Sequence, residues 1–193
     1  MNKTITHSLV GVLMAMLVTS HLLSGCGNHA LKPYVQTVDS LKTVVNKLEK
    51  DFARIDTVRH RAARDTVRMQ MENIERFFLT RGDTMPRHVA LKLSDYRFAW
   101  KGYKQMDGDF FKLRNELRFT QNQLRTLHTD LKNGVPTEIL AKKFVTQEKE
   151  VVQRLDVGVN GLTTKLENSY RKYMELKPGI THLADSLNNV PNL

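Results

Sequence analysis

Val89, Tyr96, Tyr103, Phe110, Leu117, Leu124 and Leu131 lie seven residues apart without a miss, and no other feature constrains the fold of this chain as strongly. A helix with 3.6 residues per turn gathers such positions on one face, whereas a half-buried strand needs a period of two. Leu93, Trp100, Met106, Leu113, Thr120 and Leu127 complete the stripe. An apolar seven-residue repeat sustained over this length is the pattern of a coiled coil. Two flanking stretches repeat it. In the first, Tyr34, Leu41, Leu48, Ile55, Ala62 and Met69 are seven apart, with Val38, Val45 and Phe52 between them. In the last, Val145, Val152, Val159, Leu166 and Tyr173 repeat, interleaved with Leu155, Leu162 and Leu176.

Glycine and proline gather at a few points and divide the chain there. Pro33 opens the first piece. Thr80-Arg81-Gly82-Asp83-Thr84-Met85-Pro86 separates it from the second, with Asp83 or Thr84 able to cap the new helix and Pro86 tolerated in its first turn. Asn133-Gly134-Val135-Pro136-Thr137 separates the second from the third, and Lys177-Pro178-Gly179 is a stop signal. Short connections favour antiparallel neighbours. The expected fold is therefore all-α, an elongated antiparallel three-helix coiled-coil bundle with helices at about 33–79, 86–132 and 137–177. At 1.5 Å per residue such a rod is about 60–70 Å long. It resembles a spectrin-type repeat in architecture, with no sequence motif of that family.

Gly108, within Asp107-Gly108-Asp109, reads locally as a turn. The stripe keeps phase across it from Tyr103 to Phe110, and glycine disfavours a helix by only about 1 kcal/mol relative to alanine. One helix over 86–132 is predicted. Gly158 and Gly161, off the third stripe, are read the same way. Near 67–78 the first stripe shifts to Val67, Met71, Ile74 and Phe78, a stutter.

The N-terminus carries an address. Lys3 precedes a mostly apolar run from Leu9 to Leu23, and Leu23-Ser24-Gly25-Cys26 closes it. The run is too short for a membrane span of about 20 residues and has the layout of a signal peptide. Those four residues resemble the lipobox of bacterial lipoproteins. The resemblance implies cleavage between Gly25 and Cys26, acylation of Cys26, and anchoring in a membrane of the bacterial envelope through two or more acyl chains. Gly27, rather than aspartate, implies the outer membrane, facing the periplasm, where the cell has one. The expected organisation is a signal peptide over 1–25, a lipidated tether over 26–32, the bundle over 33–179 and a tail over 180–193. In that arrangement the 133–136 turn lies at the membrane end, and the 80–86 turn and the tail lie at the far end.

Charge and composition then limit the activities. Loss of residues 1–25 removes Lys3 and lowers the formal charge from +10 to +9. Cys26 is the sole cysteine, so its acylation leaves no thiol for disulfides, nucleophilic catalysis or metal binding. The histidines after it, His29, His60, His88, His128 and His182, show no metal-ligand spacing. Asp107-Gly108-Asp109 lacks the ligand series of a calcium loop. No catalytic motif stands out. Catalytic residues, a metal and a cofactor are each expected to be absent, and nucleic acid does not suit an envelope address.

Two surfaces are candidates for a partner. Arg54, Arg61, Arg64 and Arg68 share a basic helix face, with Arg59 nearby. Either it is a solvated face, partly neutralised by Asp65, or it binds an anionic envelope glycan or lipid headgroups. Leu91 and Phe98 lie seven apart, off the main stripe. The tail, through Ile180, Leu183 and Leu187, is expected to pack over them; uncovered, they would form an apolar patch for an envelope protein. The function expected is that of a non-catalytic spacer, scaffold or adaptor, the alternative being a basic module that binds an anionic envelope polymer.

Overall fold

The computed structural model describes residues 29–188. Gly25 and Cys26 lie outside the described residues, as does the end of the expected tail, residues 189–193. All the elements among the described residues are helices: α1 (Lys32–Ala53), α2 (Thr57–Arg81), α3 (Arg87–Tyr103), α4 (Met106–Lys132) and α5 (Glu138–Asn188).

The seven members of the second stripe, Val89 to Leu131, are all buried, as are Val145, Val152, Val159, Leu166 and Tyr173 of the third. The helix boundaries differ from expectation in three places, each with a physical reason. First, the piece expected over 33–79 is two helices. The Asp56 carboxylate accepts a hydrogen bond from the Arg59 backbone N–H at 2.9 Å and caps α2, which ends α1 at Ala53. The apolar phase changes at this break rather than at 67–78. Beyond it the buried set is His60, Ala63, Val67, Met71, Ile74 and Phe78, while Ala62 and Met69 of the expected stripe are exposed.

Second, the piece expected as one helix over 86–132 is α3 followed by α4. The interruption falls at Lys104 and Gln105, not at Gly108, and it is slight. Lys104 keeps right-handed helical angles (φ −52°, ψ −39°), and its N–H bonds the Lys101 carbonyl at 3.4 Å, a tightened turn. Tyr103, Met106 and Phe110 stay buried on both sides of it. At the start of α3 neither Asp83 nor Thr84 caps; Pro86 holds the N-cap position with no side-chain bond.

Third, Lys177-Pro178-Gly179 does not end the last helix. α5 has 51 residues with Pro178 inside it. Proline removes one backbone donor and disfavours a helix interior by about 3 kcal/mol. Contacts beyond it offset this: Ile180 is fully buried, and Thr181 Oγ1 accepts a hydrogen bond from Gln70 Nε2 at 3.1 Å.

The chain divides into two compact units, Met1–Val44 with Thr120–Val151, and Val45–Phe119 with Val152–Leu193. In the first unit Leu31, Val38, Leu124, Leu131, Ala141 and Val145 form the core. In the second, α2 and α3 pack against each other, and aromatic rings meet within an otherwise mainly aliphatic core. The rings of Phe52 and Phe110 are 4.5 Å apart, those of Tyr96 and Tyr173 6.3 Å, and those of Tyr170 and Tyr173 5.8 Å. Gly102 lets α3 approach α5: a Cβ there would lie 1.7 Å from Ser169 Oγ and 2.8 Å from Ser169 Cβ. Gly158 is likewise a contact residue, where a Cβ would lie 2.8 Å from Leu113; Gly161 faces open space as expected.

Candidate functional site

The basic face lies in the second unit, and its arginines hold carboxylates of the same unit. Arg61 reaches Asp107 at 2.7 Å and Arg64 reaches the other oxygen of Asp107 at 2.6 Å. Arg64 also bonds Asp65 at 3.1 Å, Arg68 lies 3.8 Å from Asp65, and Arg54 bonds Asp51 at 3.2 Å. Hydrogen bonds from Arg64 and Arg61 hold the Asp107 carboxyl below the usual range. The bond to Asp107 in turn raises the Arg64 guanidinium. Asp109 bonds Lys165 of α5 at 3.3 Å. The two aspartates of Asp107-Gly108-Asp109 thus diverge to join α4 to α2 and to α5. The pairing with Asp65 follows from local spacing; the pairing with Asp107, 43 and 46 residues away, has no local signal.

Beside this face His60 is fully buried. Its ring lies 5.9 Å from Tyr103 and edge-on to Tyr170 at 5.8 Å. His60 Nε2 is 3.4 Å from Glu167, which also pairs with Arg59, and the Arg59 guanidinium sits 4.5 Å above the Tyr170 ring. Burial, helped by the Arg59 charge, pushes the His60 imidazole below its ordinary pKa and so keeps it neutral. Burial pushes the phenols of Tyr96 and Tyr103 up. His60 Nδ1 and the Tyr103 hydroxyl have no hydrogen-bond partner among the described residues. Tyr96 donates to Gln70 Oε1 at 2.6 Å. His60, Tyr96 and Tyr103 are fully buried in the core of the second unit. Among the described residues no group of three or more His, Cys, Asp or Glu is placed to hold a metal ion.

The α1–α2 break opens a cleft of about 410 Å³ in the same unit. Phe52, Ile55, Phe110 and Leu117 give it an apolar floor, and Glu49, Arg114 and Arg118 a charged rim. Sequence reading missed this cleft because it exists only where the helix breaks.

Leu91 and Phe98 are 58 % and 70 % exposed. The C-terminal turns of α5 do not cover them, contrary to the expectation. Ala184 and Leu187 instead line a recess with Gln70, Asn73, Ile74 and Phe77 of α2. The second missed feature is a run of exposed apolar residues around the Pro136 turn: Val135, Ile139, Leu140 and Phe144. Their sequence signal was position, apolar residues crowded beside a turn and off the stripe.

No family model, no curated protein and no solved structure matches the chain.

Proposed function

We propose that the chain is a lipid-anchored lipoprotein of the bacterial envelope, built as an antiparallel three-helix coiled-coil rod and acting as a non-catalytic spacer, scaffold or adaptor. The anchor rests on Leu23-Ser24-Gly25-Cys26. The observation that carries the scaffold reading is the stripe Val89 to Leu131, buried at all seven positions. A sequence committed this completely to helix–helix packing favours the reading of the chain as a support. The 51-residue α5 supports the rod, and the exposed Leu91 and Phe98 supply a surface for an envelope protein. The anionic-polymer alternative is weakened by the basic face itself, since Arg54, Arg61, Arg64 and Arg68 each already hold a carboxylate.

Fractionation of cells producing the full chain tests the anchor. The Cys26→Ala protein leaves the membrane fraction and loses its acyl mass; unchanged membrane attachment overturns the anchor. Crosslinking in the envelope tests the scaffold: Leu91→Ser with Phe98→Ser loses a stoichiometric protein partner that the parent chain captures. Salt-sensitive retention on purified cell-wall glycan, with no protein partner recovered, returns the assignment to the polymer-binding alternative.

A further inference from the structure

The first unit carries apolar side chains that its own core does not use. Gly134, at φ 68°, closes α4. The Gly134 and Val135 N–H groups bond the carbonyls of Leu131 and Asp130 at 3.2 and 2.9 Å. Thr137 opens α5, its hydroxyl accepting from the Leu140 N–H at 3.4 Å. Around this turn Leu131 and Ala141 are fully buried, yet Val135 is 69 % and Ile139 82 % exposed, and Leu140 and Phe144 are exposed as well. At 100° per residue Ile139, Leu140 and Phe144 fall within about 140° of arc, so they form one face of α5. Contiguous exposed apolar surface of this kind marks an interaction site.

Lysines frame the face. Lys132, Lys142 and Lys143 are exposed, and Lys142 and Lys143 form no ion pair among the described residues. Glu138 is the one carboxylate between Lys132 and Lys143 in the sequence. Apolar residues at the tip with lysines around them match the boundary of an anionic bilayer, where acyl chains lie beneath charged headgroups.

The N-terminus decides between a bilayer and other occupants. Ala30, Pro33 and Tyr34 line one recess with Glu138, Lys142 and Val145, so α1 and α5 begin at the same end of this unit. Cys26 stands six residues before Lys32, a stretch that reaches at most about 20 Å. Acyl chains on Cys26 hold a bilayer within that distance of the start of α1, at the end of the unit that carries the turn. Tethering makes a weak patch effective, because the second contact forms at high local concentration.

We propose that the Pro136 turn and the first turns of α5 are a membrane-docking surface. Val135 and Ile139, continued by Leu140 and Phe144, enter the headgroup region of an anionic bilayer, while Lys132, Lys142 and Lys143 meet its phosphates. The acyl chain supplies attachment and the docked turn supplies orientation. The proposal rests on the lipid-anchor reading for the source of the bilayer.

Depth-dependent quenching tests it. The full chain carrying Val135→Cys or Ile139→Cys is labelled at the new thiol with an environment-sensitive fluorophore, and Leu79→Cys, 81 % exposed in the second unit, serves as reference. The proteins are reconstituted in phosphatidylglycerol-rich vesicles containing brominated lipid, and mass spectrometry reports acylation of Cys26 in the same samples. The expected result is blue-shifted emission and several-fold quenching at 135 and 139, with neither at 79. Phosphatidylcholine vesicles or 1 M salt (Debye length ~3 Å) reduce the quenching several-fold. Labels at 135 and 139 that behave like the one at 79 in an acylated sample overturn the docking surface. A sample without acyl mass overturns the anchor instead. The same labels on a Cys26→Ala background, where the new thiol is the sole one, with vesicles added from outside, then judge docking alone: quenching supports it and its absence overturns it. Circular dichroism confirms that each variant folds.

Discussion

In the second unit the helices are joined by directional polar contacts: Asp107 to Arg61 and Arg64, Asp109 to Lys165, Arg59 to Glu167, and Gln70 to both Tyr96 and Thr181. In the first unit His128 meets Asp39 at 3.0 Å, and the packing leans mainly on Leu31, Val38, Leu124, Leu131, Ala141 and Val145. Both units leave apolar side chains exposed, at the Pro136 turn in the first and at Leu91 and Phe98 in the second, but the second also turns the arginines of its basic face onto its own carboxylates. The arginine charge seen in sequence is therefore partly neutralised within the unit, where Arg54, Arg61, Arg64 and Arg68 each hold a carboxylate.

The comparison can be broken first in the core of the less polar unit. Leu124→Ala removes a fully buried side chain, and it is expected to destabilise by about 2–5 kcal/mol. Amide hydrogen exchange should show the loss of protection concentrated in residues 29–44 and 120–151. Uniform loss along the chain would mean that the two units unfold as one. The next largest effect tests the close approach in the other unit. Gly102→Ala forces a methyl group into Ser169 and should destabilise by about 1–3 kcal/mol, seen as a lower thermal midpoint. Adding Ser169→Gly should recover part of it.

A smaller effect depends on pH. The folded state holds His60 neutral, while in the unfolded chain it titrates near 6.5. Its contribution is complete above that value and is lost as pH falls toward the lowered folded pKa, because the unfolded state binds the extra proton. Denaturant midpoints should fall between pH 7 and 5 in the parent protein and change less in His60→Gln. The smallest effect is that of Asp107→Asn. The Asp107 side chain is half exposed, so its ion pairs contribute about 1 kcal/mol or less. The Asp107 contribution is present above about pH 4 and declines as the carboxyl protonates below it. Midpoints measured at pH 7 and pH 3 should differ less in the variant than in the parent.

Much of the fold was legible because the stripe from Val89 to Leu131 is apolar at every heptad step, and burial of that face leaves a helix as the one element that fits. The first stripe misled because apolar spacing alone decided it. Ala62 and Met69 keep the spacing but lie exposed, while His60 takes a core position that no apolar template selects. Asp56-Thr57-Val58-Arg59 and Asp65-Thr66-Val67-Arg68 show why local sequence was insufficient. In the first, aspartate caps a new helix; in the second it sits inside α2 and pairs with Arg64 and Arg68. The difference lies in what each turn packs against, which is tertiary information. The same limit hid Asp107 as the partner of the basic face. Pro178 reads as a stop because its local penalty is real; burial of Ile180, which the stop signal does not contain, carries α5 past it.

A seven-residue apolar repeat is degenerate under sliding: displace one helix by one repeat and leucine again meets leucine. Counting seven residues either way from Ser169 along α5 brings Leu162 or Leu176 to the place where Gly102 leaves room for a serine. Neither branched side chain fits against the α3 backbone there. One glycine thus acts as a detent that sets the axial position of α3 against α5 within the second unit.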